Sequence, residues 1–176
     1  FVDVIKAGLL NARKYDKENI FTIEKRYTRS DVNRLLNWQR KIPAQSIGGY
    51  FIENGYCPIF VTYVKSNDID DSIKYEDRFE NPGLLKAISK NKRSFSSDDV
   101  QTAFNADALG VSMHLFMRKN KDDEESKEFY YLGPIHSTGR ERAKEIFMAN
   151  GTMAVELEYQ LEVPVRDDIY DYIING

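Results

Sequence analysis

The alternation of hydrophobic and polar positions predicts strands over much of the chain. Residues 57–63 are apolar on both faces, which is typical of a strand covered on both sides. Residues 153–163 alternate apolar residues with glutamate and glutamine, which predicts an antiparallel strand with one face in solvent. Residues 111–118 and 128–135 are predicted to form two further strands, joined by a charged hairpin loop.

A helix start is predicted at Thr28, because Asp31 follows it at the spacing of a capping box. After this signal, Val32 and Leu36 belong to an apolar stripe with spacings of three and four, which indicates one buried face. Pro43 stops the pattern.

Three other segments are also predicted to be helical. Residues 1–14 have helical spacing, and residues 100–104 follow a serine- and aspartate-rich helix start. A closing helix is expected to place Ile169, Tyr172 and Ile173 toward the core.

The central stretch, residues 48–95, is the one around which the rest of the chain is organised. A glycine turn precedes the apolar strand, and residues 73–79 are a second strand candidate that ends at an Asn-Pro-Gly break. Residues 84–94 are then predicted to form a basic helix that carries serines. A sheet that leads into a basic helix is a plausible floor and rim for a binding site.

Five or six strands with helices inserted between them predict the α+β class, as a curved antiparallel sheet or partly open barrel with flanking helices. The chain starts at Phe1 without an initiator methionine or signal peptide, so we expect a piece of a longer protein or a processed protein. We expect residues 1–26 to be a helical or connecting segment left from that protein. Residues 27–176 are expected to form a single domain.

Composition narrows the functional classes. The chain has 176 residues and a net charge of -3, and its longest apolar run is far too short to span a membrane. Cys57 is the single cysteine, so a disulfide framework is excluded, and a buried role in a reducing cytoplasm is expected. With one cysteine and two distant histidines, a zinc site built on these ligands is not expected.

The sequence gives no positive sign of catalysis, metal binding or cofactor binding. It contains no phosphate loop, no GxSxG turn and no HExxH motif. His114 and His136 have no motif partners, so ordinary structural or surface roles are favoured over a catalytic base. The acidic run at residues 122–125 is typical of a solvated loop.

A binding function is better supported by the basic cluster. Cations and hydroxyls of this kind contact phosphate oxygens of a nucleic-acid backbone. The alternative is a solvated helix end whose cations lie near the C-terminal dipole. The predicted backbone contacts are Lys86, Ser89, Lys90, Lys92 and Arg93.

Aromatic side chains supply a second binding signal, because four of them flank turns or basic residues where a base could stack. Core packing is the alternative for each of these rings. The four candidates are Trp38, Tyr50, Tyr75 and Phe79.

Five runs together resemble one family: residues 27–38, 57–63, 75–79, 129–133 and 163–170. It is a C-terminal domain, long uncharacterised, of bacterial proteins that join a phospholipase-D-like nuclease to a superfamily 2 helicase. The SauUSI-like type IV restriction enzymes, which are ATP-dependent and cut modified DNA, have this layout. The resemblance covers about residue 27 to the C-terminus.

The resemblance implies target recognition by a fold similar to the SRA domain, a curved barrel of the PUA-like kind. Such domains flip 5-methylcytosine or 5-hydroxymethylcytosine into a pocket. The partners would be double-stranded DNA with a modified cytosine and the upstream helicase and nuclease domains, with no membrane. This chain would be a DNA-recognition domain and not an enzyme, and any ATP or metal would belong to the upstream domains.

An extruded base needs aromatic faces for stacking and polar groups for its edge, and a carboxylate can accept from the cytosine amino group. Tyr75, Asp77 and Phe79 supply these types, and Trp38 and Tyr50 are further pocket candidates. One departure from the family concerns the residues just before Ser89. An aromatic is expected there, and this chain has alanine and isoleucine.

Two other functions stay open at this point. The first is a protein–protein docking domain that couples helicase and nuclease modules, which would present a flat apolar patch. The second is an enzyme acting on a nucleotide or modified base, which would gather buried carboxylates around His114 or His136.

Overall fold

The structure is a computed structural model that describes residues 19–38, 49–64, 77–120 and 127–175. The helix predicted over residues 1–14 lies outside these ranges. The strands are β1 Arg26–Thr28, β2 Tyr56–Val64, β3 Arg78–Asn81, β4 Leu84–Ile88, β5 Ser112–Asn120, β6 Glu128–Ser137, β7 Lys144–Phe147 and β8 Met153–Leu161. The helices are α1 Arg29–Leu35, α2 Asp98–Phe104, α3 Ala106–Leu109 and α4 Asp167–Asn175, with a 3-10 turn at Arg140–Arg142.

The eight strands form one open sheet in the order β2-β5-β6-β8-β4-β3, with β1 paired to β6 and β7 paired to β8. The predicted α+β class with a sheet and flanking helices is confirmed. One pairing differs from the expected antiparallel sheet, because β2 and β5 are parallel. A parallel pair needs a long crossover, and here β3, β4, α2 and α3 lie in it.

Alternation along β2 and β5 divides the core between the two faces of the sheet. Ile59 and Leu115 are register partners and belong to the larger hydrophobic cluster. Phe60 and Phe116 are the next pair along, and they stack in the smaller, aromatic cluster. The prediction that β2 is covered on both faces is therefore confirmed. Cys57 is buried, as expected, and burial raises the pKa of its thiol to about 12.

The capping box at the start of α1 is confirmed. The Thr28 side chain accepts a hydrogen bond from the Asp31 backbone N–H at 3.0 Å, and the Asp31 carboxylate accepts from the Thr28 N–H at 2.9 Å. Val32 and Leu36 are buried in the aromatic cluster, as the apolar stripe predicted.

The predicted basic helix over residues 84–94 is wrong, because its first half is a strand. Leu85 and Ala87 point into the core from β4, which pairs with β8. Pairing with β8 outweighs the local preference of these residues for a helix. The remaining residues, including Lys90, form the loop that leads to α2.

The prediction that β8 has a solvent-facing side is also wrong at two positions. Glu156 is buried and accepts a hydrogen bond from Arg78 at 2.8 Å. Glu158 is buried and accepts from Arg142 at 3.2 Å and from the Thr138 hydroxyl at 2.9 Å. Buried carboxylates are tolerated when cations and hydroxyls satisfy them in this way.

The closing helix α4 begins close to the predicted place and buries Ile169 and Ile173. Tyr172 was expected to point inward, and it is 41% exposed instead. Tyr170 points inward instead, and its ring packs edge-on against Phe79. Among the described residues, no helix is long and apolar enough to cross a membrane.

Thr28→Ala should lower the free energy of unfolding by about 0.5–2 kcal/mol, because one helix N–H loses its acceptor. Chemical denaturation measures the loss. Thr28→Ser keeps the oxygen and is the matched control, so it should retain most of the stability. Equal losses in the two variants would show that the methyl group, and not the cap, matters.

Candidate nucleic-acid interface

An open cleft of about 600 Å³ lies where the segment before β2 meets the loop between β4 and α2. The segment is fixed by backbone pairing, since Tyr50 bridges to Ile59 and the Phe60 N–H donates to the Gly49 carbonyl at 2.6 Å. Gly49 has a φ of 82°, a conformation that glycine adopts without strain. The cleft is lined by Tyr50, Phe51, Ile52, Lys90, Arg93, Ser96, Ser97, Asp98 and Asp99.

Asp99 joins two sides of this cleft. Its carboxylate accepts a hydrogen bond from the Tyr50 hydroxyl at 2.6 Å, and its two oxygens share one bifurcated bond from the Arg93 Nε at 2.8 and 2.9 Å. Asp99 lies in the first turn of α2, next to the Ser97 N-cap. Arg93 lies only six residues before Asp99, whereas Tyr50 is distant in sequence and is brought to Asp99 by the fold.

The titration of these groups reflects the same contacts. Burial raises the pKa of Asp99, but hydrogen bonds from Tyr50 and Arg93 outweigh it, and the net pKa is lowered. Burial and the hydrogen bond to Asp99 raise the pKa of Tyr50 well above its ordinary value. The cleft therefore holds an ionised carboxylate, a neutral phenol and a charged guanidinium at neutral pH.

Lys90 also lines the cleft, and Lys92 is the chain neighbour of Arg93. The Lys90 Nζ is 4.8 Å from the centre of the Tyr50 ring. Lys92 is exposed and has a φ of 60°, which is uncommon for a residue with a side chain. Outside the cleft, Arg140 from the turn before β7 lies over the Phe95 ring at 4.9 Å.

The other two predicted backbone contacts are engaged elsewhere. The Ser89 hydroxyl accepts from the Val155 N–H at 2.9 Å and donates to the Lys90 carbonyl at 3.0 Å, so Ser89 fixes the loop. Lys86 lies on β4 and its ammonium is 3.6 Å from Glu80.

Below the rim, the cleft ends on a closed apolar floor. Tyr50, Cys57 and Tyr159 border a gap of about 10 Å³, which is enough for about one water molecule. Burial raises the pKa of Tyr159 far above its ordinary value, and the Asp77 and Asp99 carboxylates are among the groups that raise it further. A ligand larger than water therefore fits the open cleft and not the gap beneath it.

The remaining predicted pocket residues are dispersed. Asp77 precedes β3 and its carboxylate accepts from the Ile88 N–H at 2.8 Å. Phe79 is buried between Tyr63 and Tyr170, with the Tyr63 ring stacked on it at 6.1 Å. These contacts favour a packing role for Phe79.

Trp38 is also buried, and its ring packs edge-on against Phe51 at 5.8 Å. Tyr75 lies outside the described residues. Of the predicted pocket residues that the structure describes, Tyr50 is the one that lines the open cleft beside the predicted cations.

The two histidines lie away from this cleft. His136 bridges Asp107 and Glu162, at 2.8 Å to each, and these contacts raise its pKa. His114 is 2.7 Å from the Tyr131 hydroxyl. Within the described ranges, no group of His, Cys, Asp and Glu side chains is suited to a metal ion.

Sequence reasoning missed Asp99, Tyr159 and Arg140. Asp99 was assigned to a helix start, and Tyr159 to the apolar face of a strand. For Asp99 a signal was available, because a helix start needs one capping residue and this one offers two serines and two aspartates. Nothing in the local sequence indicates that Arg140 reaches Phe95.

A family model described as "Domain of unknown function (DUF3427)" matches residues 21–173. The chain belongs to the DUF3427 family. Among curated proteins, no sequence matches this DUF3427 chain.

Solved SRA domains share the fold of the DUF3427 chain. The SUVH5 SRA complex with hemi-methylated CG DNA aligns with a TM-score of 0.51 and 13% identity, over 80% of this chain and 87% of that one. The SUVH5 SRA complex with methylated CHH DNA aligns with a TM-score of 0.50 and 15% identity, over 82% of this chain and 90% of that one. KRYPTONITE in complex with mCHG DNA and SAH aligns with a TM-score of 0.50 and 9% identity, over 82% of this chain and 33% of that one. At these identities the likeness establishes the SRA-like fold.

Asp99→Asn should destabilise the DUF3427 domain in a pH-dependent way. Folding lowers the pKa of Asp99, so the ionised carboxylate stabilises the folded state. This contribution is complete above the ordinary pKa of 3.8 and is lost as the pH falls through the lower pKa of the folded state. The stability gap between wild type and variant should thus be constant from about pH 5 to 8 and narrow below 3.8.

Urea unfolding across this pH range measures the gap. The exposed neighbour Asp98 supplies the matched control, and Asp98→Asn should show a much smaller gap at neutral pH. A gap for Asp99→Asn that persists unchanged to the acid limit would contradict the assignment of the ion pair.

Proposed function

We propose that this domain binds double-stranded DNA and recognises a modified cytosine, 5-methylcytosine or 5-hydroxymethylcytosine, that is turned out of the helix. The observation that carries the proposal is the Tyr50 ring at the edge of an open cleft of about 600 Å³ that also holds Lys90 and Arg93. An extruded base requires an aromatic face, and the flanking phosphates require cations. The SUVH5 SRA structures of the same fold are complexes with methylated DNA, which supports this ligand class.

In this proposal Tyr50 stacks on the base, and Lys90, Lys92 and Arg93 contact phosphates. Asp99 is a positioning residue, because it holds both the Tyr50 hydroxyl and the Arg93 guanidinium.

The other predicted site residues have secondary roles in this proposal. Tyr75 stays a predicted pocket residue, and Asp77 stays the candidate acceptor for the cytosine amino group. Lys86 is a further candidate phosphate contact at the edge of the interface. Ser89, Phe79 and Trp38 stabilise the fold around the site.

We further propose that residues 27–176 are the recognition unit of a modification-dependent restriction enzyme of the SauUSI-like kind. Residues 1–26 would connect it to upstream helicase and nuclease domains, which would bind ATP and metal. The domain itself would not be catalytic and would act in the cytoplasm. Two observations support this proposal. The first is the motif resemblance, and the second is the SRA-like fold, which would serve as the recognition module.

The direct test is the ratio of affinities for two duplexes of one sequence, with and without 5-methylcytosine. Tyr50→Ala should lower this ratio by about tenfold or more, because stacking of a base on an aromatic ring is worth about 1–3 kcal/mol. Tyr50→Phe keeps the ring and should retain most of the discrimination. Fluorescence anisotropy measures all of the affinities.

Tyr172→Ala is the matched control, because Tyr172 is an exposed tyrosine on α4 outside the cleft. It should leave the ratio unchanged. Equal affinity of the wild type for both duplexes would overturn modified-base recognition. No DNA binding at all would favour the docking-domain alternative.

Lys92→Gly should reduce the slope of log affinity against log salt concentration by about one, since one phosphate contact is lost. Glycine adopts the φ of 60° at this position without strain, so the variant should fold at least as stably as the wild type. Weaker DNA binding could then not be attributed to unfolding. The slope is measured for the modified and unmodified duplexes.

Lys127→Ala removes an exposed lysine just before β6 and serves as the charge-matched control. Its salt slope should equal that of the wild type. An equal effect of the two variants would show that the salt dependence reports net charge and not a contact at Lys92.

A further inference from the structure

Three titratable side chains meet at a point outside the proposed DNA interface. His136 lies near the end of β6, Asp107 lies on α3, and Glu162 follows the last residue of β8. The His136 Nδ1 is 2.8 and 3.1 Å from the two carboxylate oxygens of Asp107, and its Nε2 is 2.8 Å from Glu162 Oε1. Glu162 borders a second cleft, of about 540 Å³, that Tyr56 lines, and none of the three side chains lines the cleft that holds Tyr50. One imidazole therefore joins a helix to the ends of two strands.

The two contacts of His136 are both hydrogen bonds in one protonation state only. A neutral imidazole carries one N–H, so one ring nitrogen donates and the other presents a lone pair. A lone pair that faces a carboxylate oxygen at 2.8 Å repels it, whichever tautomer is present. The imidazolium carries an N–H on each nitrogen and can donate to both carboxylates at once. The observed geometry therefore belongs to the doubly protonated side chain.

The electrostatic surroundings of His136 agree with this geometry. The hydrogen bond to Glu162 is the largest influence on the pKa of His136, and with the contacts to Asp107 it outweighs partial burial and raises the pKa above 6.5. Two further groups, on β5 and β6, lie close enough to feel the charge of Glu162. Burial lowers the pKa of His114 to about 4 and raises that of Tyr131, so both groups are neutral at pH 7. Among the described residues, Asp107 and Glu162 are thus the charged groups that face this imidazole.

The helix α3 continues directly from α2, which lines the proposed DNA interface. Asn105 is both the C-cap of α2 and the N-cap of α3. The first turn of α2 carries Asp99, which holds the Tyr50 hydroxyl. The contact between His136 and Asp107 therefore fixes the far end of a helical unit whose near end shapes the cleft.

We propose that His136 is a pH-sensitive clamp that, when doubly protonated, ties α3 to the ends of β6 and β8. Loss of one proton leaves one hydrogen bond and releases the other carboxylate to solvent. The released group is readily hydrated, because the Asp107 and Glu162 side chains are 73% and 51% exposed. The same exposure makes the clamp a modest one, since exposed ion pairs contribute little to stability.

The direction of the pH dependence follows from the binding of the proton. Folding raises the pKa of His136 above its ordinary value of 6.5, so the folded state holds the proton more tightly than the unfolded chain. The stabilisation is fully present below pH 6.5 and is lost as the pH rises through the raised pKa of the folded state. We therefore expect α3 to open more often on the alkaline side of that pKa.

The first test is an NMR titration of the His136 ring nitrogens in the whole chain, from about pH 5 to 9. We expect both nitrogens to be protonated below pH 6.5 and the pKa to lie above that value. Asp107→Asn and Glu162→Gln should each lower this pKa, because each removes one of the two charged acceptors. Asp98→Asn is the matched control and should leave the pKa unchanged, because Asp98 is an exposed acid on α2 that is not among the groups that shift it.

The second test is amide hydrogen exchange, which measures local opening. The Leu109 N–H is the probe, because it donates to the Asn105 carbonyl at 2.9 Å within α3. After correction for intrinsic exchange rates, its protection should fall by up to about fivefold as the pH rises through the pKa of His136. His136→Gln donates from one nitrogen and does not titrate, so its Leu109 protection should be low and independent of pH. Melting temperatures verify that the variants fold.

A His136 pKa at or below 6.5 would overturn the clamp. Equal lowering of this pKa by Asp98→Asn and Asp107→Asn would also overturn it, since bulk charge would then explain the shift. Leu109 protection that falls with pH as steeply in His136→Gln as in the wild type would do the same. None of these measurements uses DNA, so the clamp and the proposed recognition of a modified base can fail separately.

Discussion

The parallel pairing of β2 with β5 is the constraint on which the rest of the structure depends. In this register Ile59 lies beside Leu115 in one core, and Phe60 lies beside Phe116 in the other. A shift of one residue would exchange the faces and place the aromatic rings among the aliphatic side chains. The same alternation gives each face its own cleft, one lined by Tyr50 and the other by Tyr56.

The sequence predicted the parts of the fold that depend on local pattern. The periods of the strands predicted over residues 57–63, 111–118, 128–135 and 153–163 are local, as is the Thr28–Asp31 capping box, and the structure has them where they were expected. Pairing is not local: residues 84–88 combine helix-forming side chains with a position beside β8, and the pairing decides their conformation. The parallel crossover was unpredictable for the same reason, since strand direction follows from contacts between distant segments.

Carboxylates mark a second limit of sequence reasoning. A glutamate that alternates with apolar residues normally faces solvent, yet Glu156 and Glu158 are buried because Arg78 and Arg142 reach them from other strands and turns. Asp99 is satisfied in the same way by Arg93. A net charge of -3 therefore says little about any one surface, because several acids neutralise cations inside the fold while Lys92 stays exposed.

The Tyr50 ring shows how such neutralisation could prepare a site. Its hydroxyl is fixed by Asp99, so in the proposed complex the ring would lose little further freedom on stacking with a base. The Lys90 ammonium now lies over the ring, and a contact of this kind is worth about 0.5–1 kcal/mol at exposed sites. Base stacking is worth about 1–3 kcal/mol, so a base would displace the ammonium. The released Lys90 would then be available to a phosphate beside the extruded nucleotide, which couples base recognition to backbone binding.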